Sequence, residues 1–174
     1  MTEKHRSVLL QEVIDLLEPR ENESFIDATV GFGGHAEAIL EQNGPKGLLY
    51  GIDQDQDALK EASERLADFG QRFKPITGNF REIAVLVPEK VTGGILADLG
   101  ASSYQFDRKE RGFSFDSDRL DMRMNQKTSL TACDIVNDYP GEDLSKIIQE
   151  YGDEKWAKRI AGRKIGRASC RERV

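Results

Sequence analysis

Cysteine is almost missing from this chain: 174 residues contain two, Cys133 and Cys170, with no C-x-x-C pair and no paired histidines. Neither a disulfide framework nor a zinc site is indicated, no metal is expected, and Cys133 reads as a small buried apolar residue. Long apolar runs are missing too. None approaches the roughly 20 residues that span a bilayer, and the N-terminus lacks the apolar core of a signal peptide, so the expectation is a cytoplasmic protein with no membrane partner. Positive charge is in deficit, with a formal net charge of -6. That gives no whole-protein attraction for nucleic acid, and DNA is not an expected partner. Repeats and low-complexity segments do not occur.

What is present describes one ordinary core under a charged surface: 38% hydrophobic residues and a mean hydropathy of -0.56. Charge is uneven along the chain. From Lys155 onward Lys158, Arg159, Arg163, Lys164, Arg167, Arg171 and Arg173 face only Glu172, which suits either a phosphate-binding surface or a solvated helix face.

Periodicity alternates between strand and helix. Ser7 is placed to cap a helix with apolar positions Leu9, Leu10, Val13, Leu16 and Leu17. Strands are expected at 24–28, 47–53, 72–77 and 93–98, with helices at 34–42 and 56–69 and a helix or turn at 80–86. This is the signature of a parallel α/β sheet, in which ligands bind outside the carboxyl ends of the strands. Asp27, Asp53 and Asp98 all fall at such ends. After Asp98 the alternation stops; 108–124 follows neither period, and 130–163 looks helical around a turn at Tyr139-Pro140-Gly141.

The run Asp27-Ala28-Thr29-Val30-Gly31-Phe32-Gly33-Gly34-His35 sits at the first strand-to-helix turn. Glycines there let bare backbone approach a ligand, and the following helix offers unpaired N–H groups. Gly31-x-Gly33-x-x-Ala36 fits the dinucleotide pattern, with Asp53 where a ribose-binding acid is expected, so NAD is one reading. Asp27 favours another. A carboxylate there repels a pyrophosphate and attracts the ammonium and sulfonium of S-adenosyl-L-methionine. Glycines that merely let a helix pack tightly against the sheet are the plain alternative. Asp53-x-Asp55-x-Asp57 with Glu64 imitates a calcium loop, but its sixth position is Ala58 rather than glycine and a strand precedes it.

Taken in order, His5-Arg6-Ser7-Val8-Leu9-Leu10, Asp27-x-Thr29-x-Gly31-x-Gly33-Gly34-His35, Asp98-Leu99-Gly100-Ala101-Ser102-Ser103-Tyr104-Gln105, Arg111-Gly112-Phe113-Ser114-Phe115, Leu120-Asp121-Met122-Arg123-Met124 and Tyr151-Gly152-Asp153-Glu154 resemble the RsmH (MraW) family. These are bacterial methyltransferases that use S-adenosyl-L-methionine to modify N4 of a cytidine in 16S small-subunit ribosomal RNA. The resemblance runs from about residue 5 to 164. It implies an α/β, Rossmann-like class I methyltransferase fold with an inserted helical substrate domain, both incomplete in this chain. The cofactor-binding domain is expected over 1–106 and the start of the helical region over 107–165. Residues 166–174 read as an unrelated tail. Two residues, Asp118-Arg119, stand where the family usually has Gly-Pro before Leu-Asp-Met-Arg-Met, and the loop is one residue shorter.

The resemblance also implies that Gly33, Gly34 and His35 line the cofactor site with Asp53, Phe80, Asp98 and Gln105; Asp27 and Gly31 join them on the reading of the turn given above. Asp53 suits the ribose hydroxyls and Phe80 the adenine. Asp98 is the expected catalytic acceptor for the target amine, with Ser102, Ser103 and Gln105 as positioning partners. Phe113 or Phe115 could stack on the splayed base, or simply pack. The expected partner is small-subunit ribosomal RNA or the 30S subunit; the rival is a truncated module that binds S-adenosyl-L-methionine or RNA without catalysis.

Overall fold

β-branched and aromatic runs bounded by glycine and proline become short parallel strands, and the amphipathic stretches between them become helices. The computed structural model describes residues 7–168 and divides into two compact units, one up to Gly100 and one from Ala101. The first contains α1 (Leu10–Leu17), β1 (Phe25–Asp27), α2 (Gly34–Gln42), β2 (Leu49–Asp53), α3 (Gln56–Arg65), β3 (Phe73–Thr77), α4 (Ile83–Leu86) and β4 (Ile95–Leu96). The strands pair in the order β3-β2-β1-β4, every pair parallel.

Register explains the core. Phe25 lies opposite Leu49, and Leu49 opposite Phe73. This row joins Ile14, Ile39, Leu40, Leu59, Ala62 and Leu66 from the helices in one buried cluster. Because side chains alternate along a strand, Ile26 and Ile52 turn to the other face, where they pack with Ala28, Val87, Ile76, Ile83 and Leu86. Each large buried side chain contributes roughly 1.5–3 kcal/mol.

Several boundaries differ from those expected. Ser7 does not cap α1; the N-cap is Leu9 in left-handed backbone, with no side-chain cap. Ile14 is the buried residue of α1 and Leu17 packs against the core, whereas Leu9 and Leu16 are exposed. Leu10, Ile14 and Leu17 follow the i, i+4, i+7 stripe, and Leu9 and Leu16 sit one position off it. The helix expected over 56–69 stops at Arg65 and passes into a 3-10 turn, Ala67–Arg72, broken by Gly70 at φ 54°. The fourth strand is regular only at Ile95–Leu96, yet the chain follows β1 for longer: Gly93 N donates to Ser24 O (2.9 Å), Ile26 N to Gly94 O (3.0 Å) and Ala28 N to Leu96 O (2.8 Å). Gly93 lies against the Phe25 ring, where a Cβ would collide.

The second unit holds α5 (Ser103–Asp107), α6 (Ala132–Asp138), α7 (Gly141–Gly152) and α8 (Ala157–Ala168). The turn expected at Tyr139–Gly141 separates α6 from α7, and Asp153, at φ 47°, ends α7. α7 and α8 pack together, burying Leu144, Ser145, Ala157 and Ala161. The aperiodic segment 108–124 is held by polar contacts. Arg111, 5% exposed, donates from Nη2 to the carbonyls of Arg123 (3.2 Å) and Met124 (3.0 Å). Gly112, at φ 77°, leaves no room for a Cβ against the Asp121 backbone. Cys133 is half-buried rather than buried, with Sγ 3.2 Å from Asn137 Nδ2, because α6 presents no buried face among its described residues. His5, Arg6, Cys170 and the tail beyond residue 168 lie outside the described residues. No helix among the described residues is long and apolar enough to cross a membrane.

Candidate functional site

The loop from β1 to α2 is shaped by two left-handed glycines, Gly31 (φ 50°) and Gly33 (φ 78°). Such backbone strains any residue with a Cβ. They differ in what lies beside them. A Cβ on Gly33 would meet Leu66 Cδ1 at 3.1 Å, so this glycine serves the tight packing of the turn on α3. A Cβ on Gly31 would meet nothing closer than the Thr29 carbonyl at 3.8 Å, so this backbone is open to approach by a ligand. Packing accounts for Gly33, while the space beside Gly31 leaves room for a ligand without requiring one. At Gly34 a Cβ would collide with the Ser7 hydroxyl.

Asp53 is tied directly to this turn. Its Oδ2 accepts from Gly31 N (2.9 Å) and its Oδ1 from Asp55 N (2.8 Å). Each oxygen thus has a backbone donor, the Gln54 amide adds a weaker one, and the carboxylate keeps acceptor capacity that a pair of vicinal hydroxyls could use. Burial pushes the Asp53 carboxyl above its ordinary range, and the charge of Asp55 adds to this, while the backbone donors oppose it. Asp55 acts as the N-cap of α3, accepting from Asp57 N at 3.1 Å.

Asp27 is 1% exposed and accepts from Thr29 N at 3.1 Å. Desolvation, helped by the charges of Asp53 and Asp98 and opposed by the Thr29 backbone donor, pushes its carboxyl up to about 7. The two nearby acids therefore act on Asp27 electrostatically, and the three strand-end acids share one neighbourhood as the sequence pattern implies. Asp98 stands two residues beyond the end of β4, and its backbone N donates to Thr29 Oγ1 at 2.7 Å.

His35, in the first turn of α2, is 8% exposed, with Nε2 donating to Val8 O at 3.0 Å. Phe80, 42% exposed, opens a 3-10 turn capped by Asn79, whose Nδ2 is 3.4 Å from Gln54 Oε1 beside Asp53. In the second unit, Ser102 and Gln105 form a capping box at the start of α5: Gln105 N donates to Ser102 Oγ (3.3 Å) and Ser102 N to Gln105 Oε1 (3.0 Å). Ser103 is the first residue of α5. Phe113 packs edge-on against Phe106, ring centroids 6.1 Å apart, whereas Phe115 is fully exposed. Among the described residues no group of three or more histidine, cysteine or acidic side chains is arranged to hold a metal.

Thr29 stands in the glycine-turn motif with no role that its sequence context assigns; the pairing of β1 with β4 reveals its bond to Asp98. The clamp formed by Arg111, Asp121 and Arg123 was likewise missed. Arg123 Nε donates to Asp121 Oδ1 (2.8 Å) and Nη2 to Oδ2 (2.7 Å), and this holds the Asp121 carboxyl down to about 2. The sequence signal is Gly112 followed by the Asp-x-Arg of Asp121 and Arg123.

A parallel sheet with a glycine turn after its first strand and acids at its strand ends defines a Rossmann-like α/β protein of the cofactor-binding class. The chain belongs to the MraW methylase family, whose model matches residues 2–173. It is 49% identical over 165 residues to the ribosomal RNA small subunit methyltransferase H of Geobacter sulfurreducens, covering 92% of this chain and 53% of the relative. The proteins of the same name from Syntrophotalea carbinolica and Wolinella succinogenes are 48% and 46% identical, over 92% and 99% of this chain and 52% and 58% of theirs. The chain thus spans about half the length of these curated relatives.

Proposed function

We propose that the ends of β1, β2 and β4 bind S-adenosyl-L-methionine and serve transfer of its methyl group to the N4 amine of a cytidine in small-subunit ribosomal RNA. The 30S subunit is then the partner and the cytoplasm the place of action. The observation that carries the reading is Asp27: a buried acid whose charged neighbours, Asp53 and Asp98, share its sign. Such a group gains from a cationic ligand and loses from a pyrophosphate, which favours S-adenosyl-L-methionine over NAD. Membership of the MraW methylase family and relatives named ribosomal RNA small subunit methyltransferase H support the substrate class.

When bound, S-adenosyl-L-methionine supplies an electrophilic methyl group together with its leaving group. The chain's own residues do the rest. Asp53 accepts the two ribose hydroxyls on the oxygens that Gly31 and Asp55 already orient, and Phe80 offers its exposed ring to the adenine. Asp27 balances the ammonium charge. Asp98 accepts a hydrogen bond from the target amine, localising a lone pair otherwise spread into the ring and stabilising the positive charge that develops on nitrogen. Ser102, Ser103 and Gln105 keep the positioning role that the family motif implies, and the capping box makes their stretch rigid.

Calorimetric titration with S-adenosyl-L-methionine and with NAD, followed by transfer of labelled methyl to 30S subunits lacking the modification, tests the reading. Tighter binding of S-adenosyl-L-methionine and label on a cytidine N4 are expected. Preference for NAD, or 30S subunits that take up no label on a cytidine N4, sinks it.

A further inference from the structure

Along β1 and β4 the parallel ladder is regular up to one point. Ile26 N donates to Gly94 O and Ala28 N to Leu96 O, so in a continued ladder the next amide, Asp98 N, would reach the Ala28 carbonyl. It goes instead to the Thr29 hydroxyl oxygen, at 2.7 Å. The same threonine donates its own backbone N–H to Asp27 Oδ1 at 3.1 Å. One residue therefore touches two of the three strand-end acids. It anchors the Asp98 backbone one position further along the exit of β1 than the ladder would, on the side of the Gly31 turn.

We propose that Thr29 is a positioning residue for methyl transfer, its hydroxyl oxygen fixing the place of the Asp98 carboxylate through the Asp98 amide. The inference rests on the reading that Asp98 accepts from the target amine. A side-chain acceptor suits this task. It lets β4 leave the sheet just before the acid, where a backbone acceptor would have kept Asp98 in the strand. A bond of this kind has the energy to hold one loop conformation against a few alternatives, and small misplacements of a catalytic group carry large rate penalties.

Thr29→Val preserves shape and removes the acceptor; Thr29→Ser keeps it. In the natural polypeptide that carries these residues, Thr29→Val should lower kcat at least tenfold while changing the Kd for S-adenosylhomocysteine less than threefold. Thr29→Ser should stay within threefold of the unsubstituted protein in both. In an Asp98→Asn background Thr29→Val should lower kcat no further, because Thr29 acts through Asp98. Equal losses for Val and Ser, a fully additive loss in the Asp98→Asn background, or a Kd that weakens as much as kcat falls would each overturn the role. Should Thr29→Val not fold, hydrogen exchange of the Asp98 amide in the unsubstituted chain decides: protection is expected, and exchange at the rate of an open loop overturns the tether. Unsubstituted protein with a protected amide but no methyl transfer overturns the proposed function, and this role with it. Active protein with an unprotected amide overturns this role alone.

Discussion

Each unit buries a charged residue, Asp27 in the strand-built unit and Arg111 in the unit from Ala101, at 1% and 5% exposure. The two are treated oppositely. Arg111 donates to the carbonyls of Arg123 and Met124 and so holds a segment that has no apolar periodicity of its own. Asp27 accepts one backbone N–H, feels two further acids, and holds its proton up to about pH 7. A buried charge whose bonds tie distant stretches of backbone together belongs to the scaffold. One that is kept unfavourable while a large apolar cluster surrounds it is the mark of a site, where strain is retained for a ligand.

The comparison depends on the apolar row being strong enough to carry Asp27, and the largest expected effect tests this. Phe25 is 1% exposed and sits in register with Leu49. Phe25→Ala should cost about 3–5 kcal/mol, the usual range for emptying an aromatic site, and abolish cooperative melting of the first unit. A drop below about 1 kcal/mol in urea unfolding would show that the row is not what holds the sheet.

Next comes Asp27→Asn, which should stabilise. The folded chain keeps the Asp27 proton up to about pH 7, and the ordinary value of the group is 3.8. The folded state therefore binds more protons between these values, so stability falls as pH rises from about 4 to about 7 and levels off above that. At roughly 1.4 kcal/mol per unit the full gap corresponds to at most about 4 kcal/mol at pH 8. Asn keeps the acceptor for Thr29 N and removes the charge. Unfolding at pH 5 and pH 8 should show a much flatter dependence in the variant, with a remnant from Asp53, whose carboxyl is also raised. Asp121 lies outside this window. Its carboxyl is lowered to about 2, so its contribution is lost only as pH falls below about 4. An unaltered pH dependence in Asp27→Asn removes Asp27 from the argument.

Arg111→Met should have the opposite sign and a smaller size. Losing bonds from a charged donor to two carbonyls costs about 2–3 kcal/mol. The loss should be local: limited proteolysis between Gly112 and Met124 should speed up while the first unit melts as before. A variant as resistant as the unsubstituted chain would show that the backbone turn at Gly112 suffices without the guanidinium.

The two regions also differ in how far the sequence reveals them. Short apolar runs around Phe25, Leu49 and Phe73 mark strands because a parallel sheet covered on both faces buries successive side chains, and Asp27 and Asp53 are legible because a strand end is where such a run stops. Thr29 is not, since its bond to Asp98 joins positions 69 apart in sequence and no local pattern encodes which loop residue meets a distant amide. Leu9 and Leu16 are exposed for a related reason: the buried stripe covers about a third of a helix, and the packing of α1 against α2 decides which third. Segment 108–124 has no period at all. Its order comes from Arg111 and from the Asp121–Arg123 pair, whose geometry depends on the chain folding back on itself.

The smallest expected effect sharpens the contrast inside the first unit, between the acid that recognises charge and the acid that recognises hydroxyls. Both Asp53 oxygens already have a backbone donor, so a ribose adds to an oriented carboxylate without creating its order. Asp53→Ala should weaken binding by about 1–2 kcal/mol, roughly a 5- to 30-fold change in Kd. That loss should be the same for S-adenosyl-L-methionine and for adenosine, because both carry the ribose. Asp27→Asn should weaken only the first, because adenosine has neither ammonium nor sulfonium. Calorimetry with the two ligands against the two variants gives four affinities. If Asp53→Ala spares adenosine while Asp27→Asn weakens it, the acids have been assigned the wrong way round, and the charge on Asp27 has some other use than balancing a cation.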